Sequence, residues 1–233
     1  MTLLKFALTV LAVTSGVFAA PGQYAACDIS SATLPLPSNQ SQLTPATGAP
    51  SFIALGVGVQ NYTCSSAGTY TNIGAVAEVF DISCLYNMPA FASIQNTAYT
   101  AWEHAPASLT AQEVIAMLSN MPVKVVLGQH YFVPNPITGS GTSPKWDFTS
   151  AAYAGNPNAF AIGARTGNLA SPDGAANVDW LQLKVVQGNL ATSVYRVNTV
   201  GGQLPGSCSP SDTTVHSVKY TSKYYFFGGS IKQ

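Results

Sequence analysis

The chain has 233 residues, of which only 8% are charged and 47% hydrophobic, with nine Lys plus Arg against nine Asp plus Glu. A chain so weakly charged has no basic patch with which to neutralise phosphates, which excludes nucleic acid as a partner. Past the first residues nothing approaches the roughly 20 apolar residues of a membrane helix, so no membrane insertion is expected, and the length suits a single domain.

The N-terminus carries one cation, Lys5, then an apolar run from Phe6 to Val13 and a small-residue end, Val17-Phe18-Ala19-Ala20. This pattern is that of a secretory signal peptide over residues 1–19. Cleavage after Ala19 is expected, since cutting one residue later would put Pro21 just beyond the scissile bond. The expected localisation is therefore secreted and extracellular. Residues 20–50 are rich in Pro, Ser, Thr and Gln, which predicts an extended arm. Asn39-Gln40-Ser41 is an N-glycosylation acceptor, which suits an exposed arm. The remaining residues, 51–233, form the expected folded domain.

That domain opens with Ile53, Leu55, Val57 and Val59 alternating with Ala54, Gly56, Gly58 and Gln60, a period-two pattern that predicts a strand. Gly56-x-Gly58 also invites a dinucleotide-loop reading, but that fingerprint needs its glycines in a turn after a strand and before a helix. Here the alternation runs straight through them, so they are read as the bare face of a strand. Asn61-Tyr62-Thr63 is a second glycan acceptor. A turn over 65–68 leads to a second strand over Gly74 to Cys84, in which Glu78 and Asp81 fall on opposite faces.

Residues 89–121 are the one helical insertion expected. Thr110-Ala111-Gln112-Glu113 forms a capping-box signature ahead of Val114, Ile115, Leu118 and Met121, with Pro122 as the stop. Strand patterns return from Val123 to Phe132, over Lys145 to Phe148, and over Ala159–Arg165, Val178–Val186, Ser193–Val200 and Val215–Phe227, separated by Gly, Pro, Asn and Asp clusters. The fold expected is all-β, an antiparallel sandwich or barrel of about eight strands with a short helical insertion. In the last strand both faces are apolar, which marks it as core.

Four cysteines in a chain bound for an oxidising compartment predict two disulfides. Three pairings are open, and Cys64–Cys84 with Cys27–Cys208 is favoured because the first would staple two nearby strands and the second would pin the arm. No two cysteines lie within the reach of a zinc motif, and no short ligand spacing joins His104, His130 and His216, so no metal is expected.

Several segments together resemble a family of secreted fungal proteins, with bacterial relatives, that is classed as a domain of unknown function and often labelled malate dehydrogenase. The resemblance rests on residues 55–64 (Leu-Gly-Val-Gly-Val-Gln-Asn-Tyr-Thr-Cys), 128–132 (Gly-Gln-His-Tyr-Phe), 144–148 (Pro-Lys-Trp-Asp-Phe), 178–183, 194–202 and 218–227. It implies a family but no established activity. The dehydrogenase label conflicts with the residues, because a nicotinamide enzyme of that kind needs a phosphate-cradling turn and a parallel sheet with crossover helices. No cofactor is expected.

Candidate chemistry centres on His130 and Asp147 as acid–base groups and on Tyr131 and Trp146 as ligand-binding rings, if the loop between their strands folds back into one cleft. Glu78 or Asp81 would be a further acid. The plainer reading makes His130 a hydrogen-bonded structural histidine and Trp146 a core residue. No G-x-S-x-G elbow is present. Asp179 and Arg196 suit a salt bridge between neighbouring strands. The function expected is extracellular binding to a glycan such as cell-wall polysaccharide, or to a host surface. The alternative is a cofactor-free extracellular hydrolase using His130 and Asp147.

Overall fold

The computed structural model describes residues 27–119, 125–204 and 206–233. The signal peptide with its cleavage site and the helix stop at Met121-Pro122 lie outside the described residues. Eight strands, β1 (Pro50–Cys64), β2 (Tyr70–Asp81), β3 (Val126–Pro134), β4 (Thr142–Asp147), β5 (Phe160–Leu169), β6 (Trp180–Gln187), β7 (Ser193–Gly201) and β8 (His216–Phe227), follow one another around a closed barrel. Every neighbouring pair is antiparallel, and β8 closes the barrel on β1 from Pro50↔Phe227 to Tyr62↔His216. Of the two all-β architectures expected, the chain adopts the barrel. Two short helices, α1 (Ile94–Glu103) and α2 (Ala111–Ser119), sit between β2 and β3.

The alternation in β1 decides what lies inside and outside. Phe52 and Ala54 point into the barrel, where they join Val79, Leu127, Trp146, Leu183, Val194, Tyr224 and Phe226 in an aromatic-rich core. Ile53, Leu55, Val57 and Val59 point outward and are just as buried, because the arm and both helices cover that side of the barrel. Sheets that are buried on both faces read as continuous apolar runs, as β1 does, whereas β8 is as buried but carries Thr221, Ser222 and Lys223 within it. The first helix, α1, is pinned to this outer face by polar contacts. Trp102 Nε1 of α1 donates to Gly58 O at 2.7 Å, Thr221 Oγ1 donates to Gln95 O, and Lys219 Nζ donates to Trp102 O and Ala105 O at the C-terminal end of α1.

β1 runs straight through Gly56 and Gly58, so neither glycine opens a helix, and the fold is an up-and-down meander without the parallel sheet a dinucleotide turn requires. Their bareness is used for packing. A Cβ on Gly56 would lie 2.5 Å from the Tyr224 ring, and one on Gly58 would collide with the Val76 carbonyl oxygen of β2.

The lower end of the barrel, where β1 begins, is stoppered by the β4–β5 loop and the C-terminus. Phe52 packs edge-on against Phe148 and Tyr153, Tyr153 Oη donates to Lys232 O, and Gln233 Nε2 donates to the Asp81 carboxylate. The upper end, where β1 finishes, is crossed by Tyr62 Oη donating to Gly202 O and by Val178 and Tyr220 packing on Ala75 and Ala77.

The disulfides are Cys27–Cys84 and Cys64–Cys208, which corrects the pairing favoured from the sequence. The reason is the hairpin itself. β1 ends at Cys64 at the top and β2 descends until Asp81 faces Ala54, so Cys84 lies at the bottom of the barrel. There it meets Cys27 at the start of the arm, which is also held where Tyr86 Oη accepts from Thr33 N. Cys208 sits in the upper β7–β8 loop, where its N–H donates to Gly68 O in the β1–β2 turn beside Cys64.

Candidate functional site

The four residues singled out in β3 and β4 divide between the two faces of the sheet. Gln129 faces Asp147 in the register and His130 faces Trp146, and successive residues of a strand point to opposite sides. His130 and Trp146 therefore face the barrel interior together, while Tyr131 and Asp147 face outward with Lys145. The hydrogen-bonded reach between His130 and Asp147 that acid–base chemistry needs is not formed.

On the outside, Asp147 Oδ2 accepts from Lys145 Nζ at 2.7 Å and from Tyr131 Oη at 2.7 Å, and Oδ1 accepts from Thr149 N. Burial resists ionisation of Asp147, but the hydrogen bonds from Lys145, Thr149 and Tyr131 outweigh it and hold the carboxyl below its ordinary value. Lys145 Nζ also lies 4.8 Å from the centroid of the Phe160 ring. Each partner's polar group is thus already engaged, which is the pattern of a structural clamp on the outer face of β4.

The other two candidate acids lie elsewhere. Glu78, 1% exposed, is on the outer face of β2 with Oε2 unpartnered, and burial pushes it up to about 8, so it is a neutral acid at pH 7. Asp81 is at the lower end, where burial raises its pKa against hydrogen bonds from Ser83 and Gln233. Asn39 is exposed on the arm, whereas Asn61 is half-buried and its Oδ1 accepts from Ser217 Oγ. Asp179 and Arg196 do meet, but through the backbone, since Arg196 Nε and Nη2 both donate to Asp179 O. Among the described residues no group of three or more His, Cys, Asp or Glu side chains could hold a metal ion.

Inside the barrel, alternation along the strands brings a contiguous polar and aromatic cluster together. The His130 ring is stacked on Trp146 with centroids 4.6 Å apart and planes at 11°, and Tyr224 packs against both. Tyr224 Oη is 3.0 Å from Tyr220 Oη, and the Gln60 amide lies close enough to Tyr220 to lower its pKa, though without the geometry of a formed hydrogen bond. Ser222 lies between the two tyrosines on β8. Arg196 faces Tyr224 across β7–β8 and its charge is felt by His130, Tyr62 and Tyr220.

His130 is fixed in one protonation state and tautomer. Nδ1–H donates to Lys145 O at 2.9 Å, and burial pulls the pKa down to about 4, so at neutral pH the ring is uncharged with a bare lone pair on Nε2. Around it, Gln60 Nε2, Trp146 Nε1 and Ser222 Oγ are buried with no hydrogen-bond partner. Unpaired buried donors are uncommon in native proteins, because each forfeits its hydration. Three buried unpartnered polar atoms on three strands, on inward-facing residues of one aromatic-lined interior beside the neutral His130 ring, are the strongest functional signal in the molecule.

The interior is not uniformly closed. Inward-facing positions in the lower half are buried except Val185, which is half-buried, and Phe132, Pro144, Leu181 and Arg196, inward-facing toward the upper end of β3, β4, β6 and β7, are half-buried. The upper end is thus the less tightly covered one, although Gln60, His130, Trp146, Tyr220, Ser222 and Tyr224 are themselves at most 3% exposed. Sequence reasoning found His130 and Trp146 but missed Gln60, Arg196, Tyr220, Ser222 and Tyr224. A signal was there: the same alternation that bares Gly56 and Gly58 places Gln60 on their face, and in β8 it places Ser222 between Tyr220 and Tyr224.

A family model described as "Protein of unknown function (DUF3455)" matches residues 45–228, and the chain belongs to that family. No curated protein and no solved structure matches it.

Proposed function

We propose, from the premise of a family without an established activity, that the protein acts outside the cell as a binding protein and holds a small ligand in the upper half of its barrel. Two disulfides support the compartment, since such bonds persist in oxidising surroundings. The observation that carries the binding reading is the set of buried unpartnered atoms, Gln60 Nε2, Trp146 Nε1 and Ser222 Oγ, on inward-facing residues of the same barrel interior as the neutral His130 ring. Ligand sites pair apolar and aromatic walls with a few placed polar groups of this kind.

A polysaccharide or host-surface partner would be gripped by exposed rings. Trp102, Trp146 and Trp180 are at most 3% exposed, and the exposed large hydrophobics Ile73, Met88, Ile137 and Val215 carry no ring. The hydrolase reading on His130 and Asp147 draws no support from side chains on opposite faces of the sheet.

Thermal unfolding of the disulfide-intact protein, with a panel of small organic molecules beside glucan, chitin and mannan, tests the reading. A small molecule should raise Tm and change tryptophan fluorescence, and Gln60→Leu should weaken its binding at least fivefold. Polysaccharide binding that is undiminished by Gln60→Leu, with no small molecule raising Tm, would overturn it.

A further inference from the structure

We infer that the barrel's ligand is a small planar organic carboxylate, its carboxylate at Arg196 and its ring against the Tyr224, Trp146 and Phe132 side of the interior. The inference rests on the binding reading above and adds the chemical class.

The polar atoms facing the site are mostly donors. Gln60 Nε2, Trp146 Nε1 and Ser222 Oγ all have a hydrogen to give and no acceptor, and in the Tyr220–Tyr224 pair one hydroxyl hydrogen is used between the rings while the other remains. Acceptor capacity is limited to the Ser222 hydroxyl oxygen and to His130 Nε2, which carries a lone pair because Nδ1–H is committed to Lys145 O. A ligand that completes this set must be rich in acceptor oxygens.

Charge points the same way. The chain contains two arginines, Arg165 and Arg196. Arg196 is half-buried on the inner face, and Arg165, exposed, faces the inward-pointing Leu183 in the β5–β6 register. Arg196 spends Nε and Nη2 on a carbonyl oxygen rather than a carboxylate, and among the described residues it forms no ion pair. A half-buried guanidinium without an ion pair favours an anionic guest, and Nη1 remains to donate to one of its oxygens. Glu78 and Asp147 are on the outer face; the carboxylate of Asp179, the residue whose carbonyl Arg196 binds, is engaged by Asn168 Nδ2, and its charge is felt at Tyr62.

The shape follows from the walls. His130 and Trp146 lie nearly parallel, Tyr224 meets Trp146 at 70°, and Phe132 sits 5.8 Å from His130 toward the rim. Rings at these angles select a flat ligand by stacking and edge contacts. Phosphate would satisfy the donors and the charge but would leave the rings without a partner.

The test is calorimetric and fluorescence titration of the full disulfide-bonded chain at low salt with benzoate, benzamide and inorganic phosphate. One-site benzoate binding, at least tenfold tighter than benzamide or phosphate and weakened at least tenfold by Arg196→Gln, is the expected result. If Arg196→Gln does not fold, raised salt applied to the wild type should weaken benzoate and leave benzamide unchanged. Benzamide binding as tightly as benzoate removes the anionic class while leaving the barrel site standing, and phosphate binding as tightly removes the planar class. No response to benzoate overturns the inference, whereas the barrel site itself is overturned only by the small-molecule panel and Gln60→Leu.

Discussion

His130 and Glu78 bury ionisable groups on opposite faces of the sheet, and their effects on stability run in opposite directions. The imidazole titrates near pH 4 in the fold against an ordinary value of 6.5, so from about pH 6.5 downward the unfolded chain takes up a proton that the fold refuses. Stability from this residue is therefore lost as pH falls, completely by about pH 4. Glu78 stays protonated up to about 8 while the unfolded carboxyl ionises from about 4.5, so its contribution is lost as pH rises through that range. Between about pH 4.5 and 6.5 the two slopes oppose each other. Relative to wild type, His130→Gln should gain stability on going from pH 6.5 to 4.5, and Glu78→Gln should lose it, each by up to roughly 3 kcal/mol. Urea midpoints at the two pH values measure this, and two variants that track wild type would refute it. Gly56 is a steric case. Gly56→Val would drive a branched side chain into the Tyr224 ring and should cost about 1–3 kcal/mol in the same assay. That both glycines belong to a strand was legible from the alternation around them. That Tyr224, 168 residues after Gly56, fills the bare face was not, since only barrel closure brings β8 beside β1.

At the scale of elements, local chemistry was the most readable part of the chain. The capping box forms as spelled: Glu113 N donates to Thr110 Oγ1, and Glu113 Oε2 accepts from Thr110 N at 2.7 Å. Thr110→Ala should cost about 1 kcal/mol by urea denaturation, while Glu113→Gln, which can keep the reciprocal bond, should cost less. The strands were legible for a similar reason, because each alternates between punctuating turns. What alternation left open was which face is inside, since β1 and β8 are buried on both. The outer face of β8 shows the consequence. Lys223 is 2% exposed there, its Nζ 4.3 Å from the centroid of the Phe91 ring, and burial pulls it down to about 8. Its folded pKa lies below the unfolded value, so the cost of burying it is fully present below about pH 8 and disappears as pH rises through about 10.5. Lys223→Met should therefore be more stable than wild type at pH 7, with the advantage shrinking toward pH 10.5. Thermal unfolding at the two pH values measures it, and an advantage that does not change with pH would assign the effect to packing instead.

For the whole molecule, the barrel explains why short-range reasoning misjudged the disulfides and the candidate pair alike. Cys64 and Cys84 are close in sequence, yet an antiparallel hairpin of this length carries them to opposite ends. Cys64 and Cys208 are 144 residues apart, yet two upper loops bring them together. His130 and Asp147 likewise lie one register step from being opposite each other, and that single step sends them to opposite faces. The two bridges then do different jobs. Cys27–Cys84 ties the arm to the lower end, where the arm adds its own contacts through Leu43 to the outer core and through Tyr195 Oη donating to Thr44 O. Cys64–Cys208 ties the β7–β8 loop to the β1–β2 turn beside the half-open rim. Removing either should cost about 2–5 kcal/mol, because each closes a long loop in the unfolded chain. Of the two bridges, the upper one lies at the same end as the proposed ligand site, so Cys64→Ser with Cys208→Ser should also weaken binding of whichever small molecule the wild type takes, whereas Cys27→Ser with Cys84→Ser should lower Tm and leave affinity unchanged. Peptide mapping of the unreduced protein should recover 27–84 and 64–208 linkages, and equal losses of affinity in the two double variants would mean that the barrel responds as one rigid body.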